Sequence, residues 1–551
     1  MQSAIWRAGV RQLAPNVRAT STTVTTAAAA SVSRLQLKVH KQSQTDVLCR
    51  LRKSCVSIAQ LAQKSTRAAD NNKQLCRHTH THTHPSIHAS GRAVSVAQYS
   101  RYSASTIMNS YCKELDLMDY DIIGFDLDGT LLRYNLQEMT PLIYNVLKVY
   151  LVEQKGYSPA LLTKKLDMDF LQKGLMLDGP RGNVLKLSNE AVILRASHGT
   201  RLLSDDEIVA AYGAARRWDV ATAFYNDPLS TWNGPAATQM RTLLDYFDMP
   251  SALVFAQAVD IVDKDSGPNG RPKEYNVWRD LLDGLMHNYS RDNFKNDQSL
   301  YFKAMRAEPQ RYVLPSSSKL RTWLQQLRAT GKKVFLLTGS NIDFADLTAT
   351  QALGPDWQQQ FDYIVTYAKK PGFFTMQRPF MRVDDVAKCE LPATELSLQA
   401  ELKPGDVYSQ GNWHQLHQSM AKQLNKDISA ARALYFGDNI IQDIYTPVKH
   451  RDFDTVAIAE ELFLMEQKDY PYRAVLASKF WDSYFISGNT PTLWSGFIAN
   501  YAQICVSSME QMAQTSPTER LVCNNVNGFY PALPKQLECS NLTTCWHGGG
   551  V

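Results

Sequence analysis

No run of apolar residues approaches the roughly 18 that a membrane-spanning helix needs, so a membrane partner is not expected. The nine cysteines contain no CxxC pair and no regular spacing. That excludes both a zinc ribbon and a disulfide framework, and a reducing compartment is expected. Cys523, Cys539 and Cys545 crowd the C-terminus, where they read as loose thiols rather than as a metal knuckle. Acidic residues are absent before Asp46, and residues 1–107 set fifteen Lys/Arg against only Asp46 and Asp70. With an overall charge of +6, that segment carries +13 and the remaining chain −7. The mildly acidic body offers no electrostatic basis for binding nucleic acid.

What is present begins with that basic segment. Residues 1–107 are rich in Ser, Thr, Ala and Arg, the composition of a mitochondrial transit peptide. His78 to His84 alternate with threonine as a translated CA repeat would, which favours an extended gene model. On that reading translation starts at Met108 and the protein is cytoplasmic; a genuine leader would make it mitochondrial. Lacking apolar periodicity, the segment is expected to be disordered.

Order begins at the run Ile122-Ile123-Gly124-Phe125, continuous and apolar like a strand buried on both faces of a parallel sheet. Similar runs follow at Val334–Leu337, Tyr363–Thr366, Ala433–Phe436 and Thr455–Ile458. Between them lie helical patterns such as Ser318–Ala329, with Leu320, Trp323, Leu324 and Leu327 on one face. The alternation predicts an α/β fold, a doubly wound parallel sheet. From Leu131 to about Lys333 the chain leaves this pattern and includes a hairpin, Val184–Leu187 and Ala191–Ala196 around Ser188-Asn189-Glu190. So long a connection predicts an inserted cap domain over the strand ends. The expected division is a core over 108–135 and 334–510, a cap over 136–333, and a weakly ordered tail over 511–551.

Each core strand delivers polar residues at its carboxyl end, where ligands bind in open α/β sheets. The first runs into Asp126-Leu127-Asp128-Gly129-Thr130, and the second ends in Thr338-Gly339-Ser340-Asn341. The third leads to Lys369-Lys370-Pro371, and the fourth to Gly437-Asp438, with Asp443 shortly after. Singly, each is an ordinary surface turn. Jointly, acid pair, hydroxyl, lysine and acid pair in that order resemble the four-part signature of the haloacid-dehalogenase superfamily.

The chemistry follows from the side chains. Converging carboxylates repel unless a hard divalent ion with oxygen ligands joins them, and Mg²⁺ is expected on Asp126, Asp438 and the backbone carbonyl of Asp128, with Asp443 either binding the metal or orienting a water on it. Thr338, Ser340 and Lys370 are the expected phosphate donors. Asp126 is the candidate nucleophile and Asp128 the general acid and base.

Longer stretches resemble the cytosolic purine 5'-nucleotidase family, in particular its branch named for a 5'-nucleotidase domain. They include Arg133-Tyr134-Asn135-Leu136, Gly182 to Leu187, Arg195 to Thr200, Lys370 to Phe374 and Tyr408 to Asn412. The resemblance implies a nucleoside monophosphate as the small phosphorylated substrate and a cap that recognises its nucleoside. Candidate contacts are Arg279, Asp283 and His287, at i, i+4 and i+8 on one helix face, and His198. A stripe of solvated charge explains the first three equally well, and a histidine satisfied by a neighbour explains the fourth. Gly129 departs from the family's usual His or Tyr, and Gly339 from its usual Asn. Two other readings stay open: a phosphatase for another small phosphomonoester, and a catalytically weak scaffold with the same fold. The sequence leaves base preference and oligomeric state, a homo-oligomer included, open.

Overall fold

The computed structural model describes residues 113–523, apart from 230–234, 268–269, 271, 385, 452, 464–475 and 477. The expectations for residues 1–107, for the His-Thr repeat and for the end of the chain beyond 523 lie outside the described residues. Among the described residues no helix is long and apolar enough to cross a membrane.

Nine strands form the main sheet: β1 Ile122–Phe125, β2 Lys333–Leu337, β3 Tyr363–Thr366, β4 Phe380–Asp384, β5 Cys389–Glu395, β6 Val407–Gln410, β7 Ala433–Gly437, β8 Asp454–Ile458 and β9 Ile504–Val506. Their order is β5-β4-β6-β3-β2-β1-β7-β8-β9. All pairings from β6 to β9 are parallel, and the β4–β5 hairpin adds an antiparallel edge. The chain builds outward from β1 to β3, forms the β4–β5 edge and returns as β6 between β3 and β4, then crosses back to β7 on the other side of β1. That reversal opens a crevice at the carboxyl ends of β1 and β7.

The apolar runs form strands because both faces are covered. Ile123, Phe125, Leu336 and Phe436 pack on one face with Leu320, Trp323, Leu324 and Leu327 of the helix Ser318–Ala329. Phe125 stacks on Phe436 with centroids 5.0 Å apart and meets Trp323 edge-on at 6.3 Å. On the opposite face Ile122, Phe335 and Tyr435 pack with Phe373, Phe374 and Trp413. The helix starts where expected because the Ser317 side chain accepts from the Leu320 N–H, capping it.

Between β1 and β2 the chain forms a five-stranded antiparallel sheet, in the order Arg201–Leu202, Ile193–His198, Asn183–Leu187, Met176–Asp178, Met240–Thr242. The long helices Leu136–Lys155, Ser251–Ser266 and Val277–Tyr289 belong to the same excursion. The hairpin is present, but its second strand begins at Ile193 rather than Ala191. Ala191 takes φ 60°, and the Ser188 hydroxyl accepts from the Glu190 and Val192 N–H groups, so the turn absorbs Ala191 and Val192.

This excursion is pinned to the segment 481–494. The buried Lys186 ammonium donates to the carbonyls of Trp481 and Ser483, and the Trp494 indole donates to the Gly174 carbonyl at 2.6 Å. The start of the expected tail also moves. Met512 is buried, and Leu521–Cys523 pairs antiparallel with Lys113–Leu115, so residues 511–523 pack on the fold. Leu521, 3% exposed, supplies the apolar contact that holds this stretch.

Candidate active site

Four strand ends meet at the crevice. Asp126 follows β1 directly, and its N–H donates to the Phe436 carbonyl on β7 at 2.9 Å. Asp438 follows β7, and Asp443 lies one turn further on, in the π-helical stretch Ile440–Tyr445. Gly437 makes that turn possible, since a Cβ there would lie 2.3 Å from Cβ of Asp443. After β3, Tyr367 and Lys369 adopt φ of 44° and 53°, turning the chain so that Lys370 reaches back under the strand ends.

Lys370 is 5% exposed and joins the carboxylates. Its Nζ lies 2.9 Å from Asp126 Oδ1 and 2.6 Å from Asp443 Oδ1, and it donates to the Tyr435 hydroxyl at 3.2 Å. Burial alone would lower the affinity of this amine for its proton, but Asp126 and Asp443 outweigh it and hold the ammonium charged.

One ammonium does not balance the acids. Oxygens of Asp126, Asp438 and Asp443, all three buried, lie within 4.8 Å of one another. Burial pushes Asp126 up to about 7, against the pull of Lys370 and with the repulsion of Asp443 and Asp128 added. Burial and the charge of Asp126 push Asp438 well above the carboxylate range, although Lys173 draws it down. An all-oxygen donor set with excess negative charge fits a hard divalent cation, which would replace the protons these acids otherwise keep.

Asp128 is held differently. Oδ1 accepts from the Tyr134 hydroxyl at 2.5 Å, and Oδ2 accepts from Ser340 Oγ at 2.7 Å and from Thr338 Oγ1 at 3.4 Å. The two hydroxyls expected to donate to phosphate are therefore turned toward Asp128 in this state.

These groups enclose a cavity of about 40 Å³ lined by Asp126, Asp128, Ser340, Lys370, Asp438 and Asp443, together with Gly339, Asn439 and Gln442. Asp245 and Phe247 from the excursion form its remaining wall. A water-sized group needs about 10–15 Å³, so only a few such groups fit, far short of the ~300 Å³ of an ordinary small-molecule pocket. A larger cleft of about 510 Å³ lies elsewhere, lined by Trp413, His414, His417 and residues 448–451. Among the described residues its lining carries no carboxylate, so its size does not make it the reaction site.

Sequence reasoning missed Asp245, Phe247, Tyr134, Asn439 and Gln442. A signal for the first existed: Leu243-Leu244-Asp245-Tyr246-Phe247-Asp248 carries two acids inside an apolar run, and both are buried. The cap candidates lie elsewhere. Arg279 is exposed, Asp283 pairs with Lys155 at 2.5 Å, and His287 lies beside Asn293 and Tyr150. His198 is hydrogen-bonded to Asn183 at 2.8 Å and Asp263 at 3.0 Å, with Tyr275 at 3.3 Å. None of the four lines the cavity. Gly129 has φ +80°, and a Cβ there would approach Asp438 Oδ2 to 2.5 Å, so Asp438 fills the space a side chain would enter.

The model of the 5' nucleotidase family matches residues 110–470. The 5'-nucleotidase domain-containing protein 1 of Homo sapiens is 35% identical over 430 residues, covering 72% of this chain and 90% of its own length. Its Bos taurus counterpart is 34% identical over 466 residues, covering 77% and 97%. The 5'-nucleotidase domain-containing protein 2 of Rattus norvegicus is 27% identical over 354 residues, covering 63% and 58%. The chain belongs to the 5' nucleotidase family and is a hydrolase of the phosphatase type.

Proposed function

We propose that this protein is a Mg²⁺-dependent phosphomonoester hydrolase of the haloacid-dehalogenase type, acting on nucleoside monophosphates through an aspartyl-phosphate on Asp126. The observation that carries this reading is the meeting of Asp126, Asp438, Asp443 and Lys370 at one cavity, from positions hundreds of residues apart. On this reading residues 108–135 and 334–510 are the catalytic core and 136–333 its cap, which closes the cavity through Asp245 and Phe247.

Asp126, Asp438 and Asp443 would hold the cation, which supplies charge neutralisation for the phosphoryl oxygens. Lys370 adds a second positive charge on the same side, so that an anion can approach an anion. A carboxylate oxygen of Asp126 forms a bond to phosphorus as the bond to the ester oxygen breaks. Asp128 gives its proton to the departing alcohol, then takes one from the water that attacks the phosphorus of the aspartyl-phosphate, releasing phosphate and free Asp126. Thr338 and Ser340, now on Asp128, would turn to the phosphoryl oxygens once substrate enters.

A second reading, a phosphatase for another small phosphomonoester, is favoured by the absence of Arg279, Asp283, His287 and His198 from the cavity wall. The full chain with Mg²⁺, assayed against nucleoside monophosphates and sugar phosphates, separates the two. Preference for a nucleotide and an inert Asp126→Asn variant are expected. Equal rates on both substrate classes would favour the second reading, and an active Asp126→Asn would overturn both.

A further inference from the structure

Tyr134 stands between the proton-carrying acid and the wall contributed by the excursion. It lies in the short strand Arg133–Tyr134, which pairs antiparallel with Val313–Leu314 where the excursion returns toward the core. Its ring is 2% exposed and meets Phe247 edge-on, with centroids 5.2 Å apart at 79°. Phe247 is itself part of the cavity wall. At the other end of the ring, the hydroxyl donates to Asp128 Oδ1 at 2.5 Å.

We propose that Tyr134 is a positioning residue for proton transfer: it fixes Oδ1 of Asp128 and so leaves Oδ2 as the oxygen that exchanges a proton with the leaving group and the attacking water. This inference rests on the reading of Asp128 as the general acid and base. A carboxylate can rotate to present either oxygen, and proton transfer is efficient only when one is held within hydrogen-bond reach of the reacting atom. Oδ2 is the oxygen bonded to Ser340, which lines the cavity, whereas Oδ1 faces a buried ring. The Tyr134 hydroxyl is the donor of this contact and Asp128 Oδ1 its acceptor. With Oδ1 accepting from tyrosine, Oδ2 is the oxygen left to carry the proton once Ser340 and Thr338 turn from it to the phosphoryl oxygens. That proton passes to the ester oxygen as the phosphorus–oxygen bond breaks, and is replaced by one from water in the second step.

The leaving group supplies a readout that a merely structural role would not move. An alkoxide needs the proton, and p-nitrophenolate leaves without it. The full chain with Mg²⁺ is assayed as wild type and as Tyr134→Phe, which keeps the ring contact with Phe247. The kcat/KM for a purine nucleoside 5'-monophosphate is expected to fall about tenfold, part of the roughly 10²–10⁴ that general acid catalysis provides. For p-nitrophenyl phosphate it should fall less than about twofold, because no leaving-group proton is needed. Asp128→Asn should show the same discrimination, more strongly. Equal losses on both substrates, or no loss on either, would overturn the positioning role. Asp126→Asn, run alongside, separates the two levels. Turnover by that variant defeats the underlying mechanism, whereas an inert Asp126→Asn with an undiscriminating Tyr134→Phe removes only the role of Tyr134.

Discussion

Replacing Lys370 by methionine keeps the length of the side chain and removes the only ammonium in contact with Asp126 and Asp443 among the described residues. At an effective dielectric near 20, each contact contributes roughly 6 kcal/mol of attraction. Desolvating the ammonium offsets several kcal/mol, and breaking such a buried pair costs about 3–5 kcal/mol net. The loss depends on pH, and its sign follows from Asp126. This carboxyl is raised from 3.8 to about 7 in the folded protein, so the folded state holds a proton that the unfolded state has released between those values. Wild-type stability without metal therefore falls as pH rises through that window. Without Lys370 the carboxylates repel more strongly, and the fall should be steeper and extend to higher pH. The assay is denaturant unfolding in EDTA at pH 5 and pH 8, repeated with saturating Mg²⁺. Lys370→Met should be less stable than wild type at pH 5, where the contact with Asp443 is lost, and by about 1.4 kcal/mol more at pH 8, with Mg²⁺ restoring part of the difference. A deficit equal at both pH values, or one untouched by Mg²⁺, would refute the charge-balance reasoning and leave Lys370 a packing residue.

Other outcomes follow from the same geometry. Asp438→Asn should weaken Mg²⁺ binding by about tenfold or more while leaving EDTA-treated protein at pH 8 as stable as wild type, because one of the repelling acids is gone; calorimetric titration and unfolding read the two effects. Mg²⁺ binding should release protons, and its apparent affinity should climb as pH rises through about 7, as the ion displaces the protons of Asp126 and Asp438; titrations in buffers of different ionisation enthalpy measure this. Phe125→Ala should cost about 3–5 kcal/mol in unfolding experiments, since the ring is fully buried between Phe436 and Trp323.

Five strands of the main sheet were legible because each is buried on both faces and so reads as an unbroken apolar run. β6 was not: Val407-Tyr408-Ser409-Gln410 mixes polar side chains, with Ser409 bonded to Glu390 of the edge hairpin, and runs of that kind occur in loops. β9, only Ile504-Cys505-Val506, is too short to stand out. The carboxylates and the lysine were legible for a related reason, since polar residues just past buried strands in one sheet must share an edge. Nothing in the spacing could show that Tyr134 returns to Asp128, or that Asp245 and Phe247 fold back over the same edge, because both depend on how the long excursion packs. Arg279, Asp283 and His287 do share a helix, Val277–Tyr289, yet Asp283 takes its partner from Lys155 on Leu136–Lys155. Periodicity identifies a face, and only packing decides what it meets.

Acid-quenching the wild-type protein during turnover and mapping the phosphoryl group by mass spectrometry addresses the nucleophile most directly. A phosphorylated peptide containing Asp126 is predicted, absent from Asp126→Asn. Steady turnover with no phosphoryl group on that peptide, or with the group on another residue, would contradict the account.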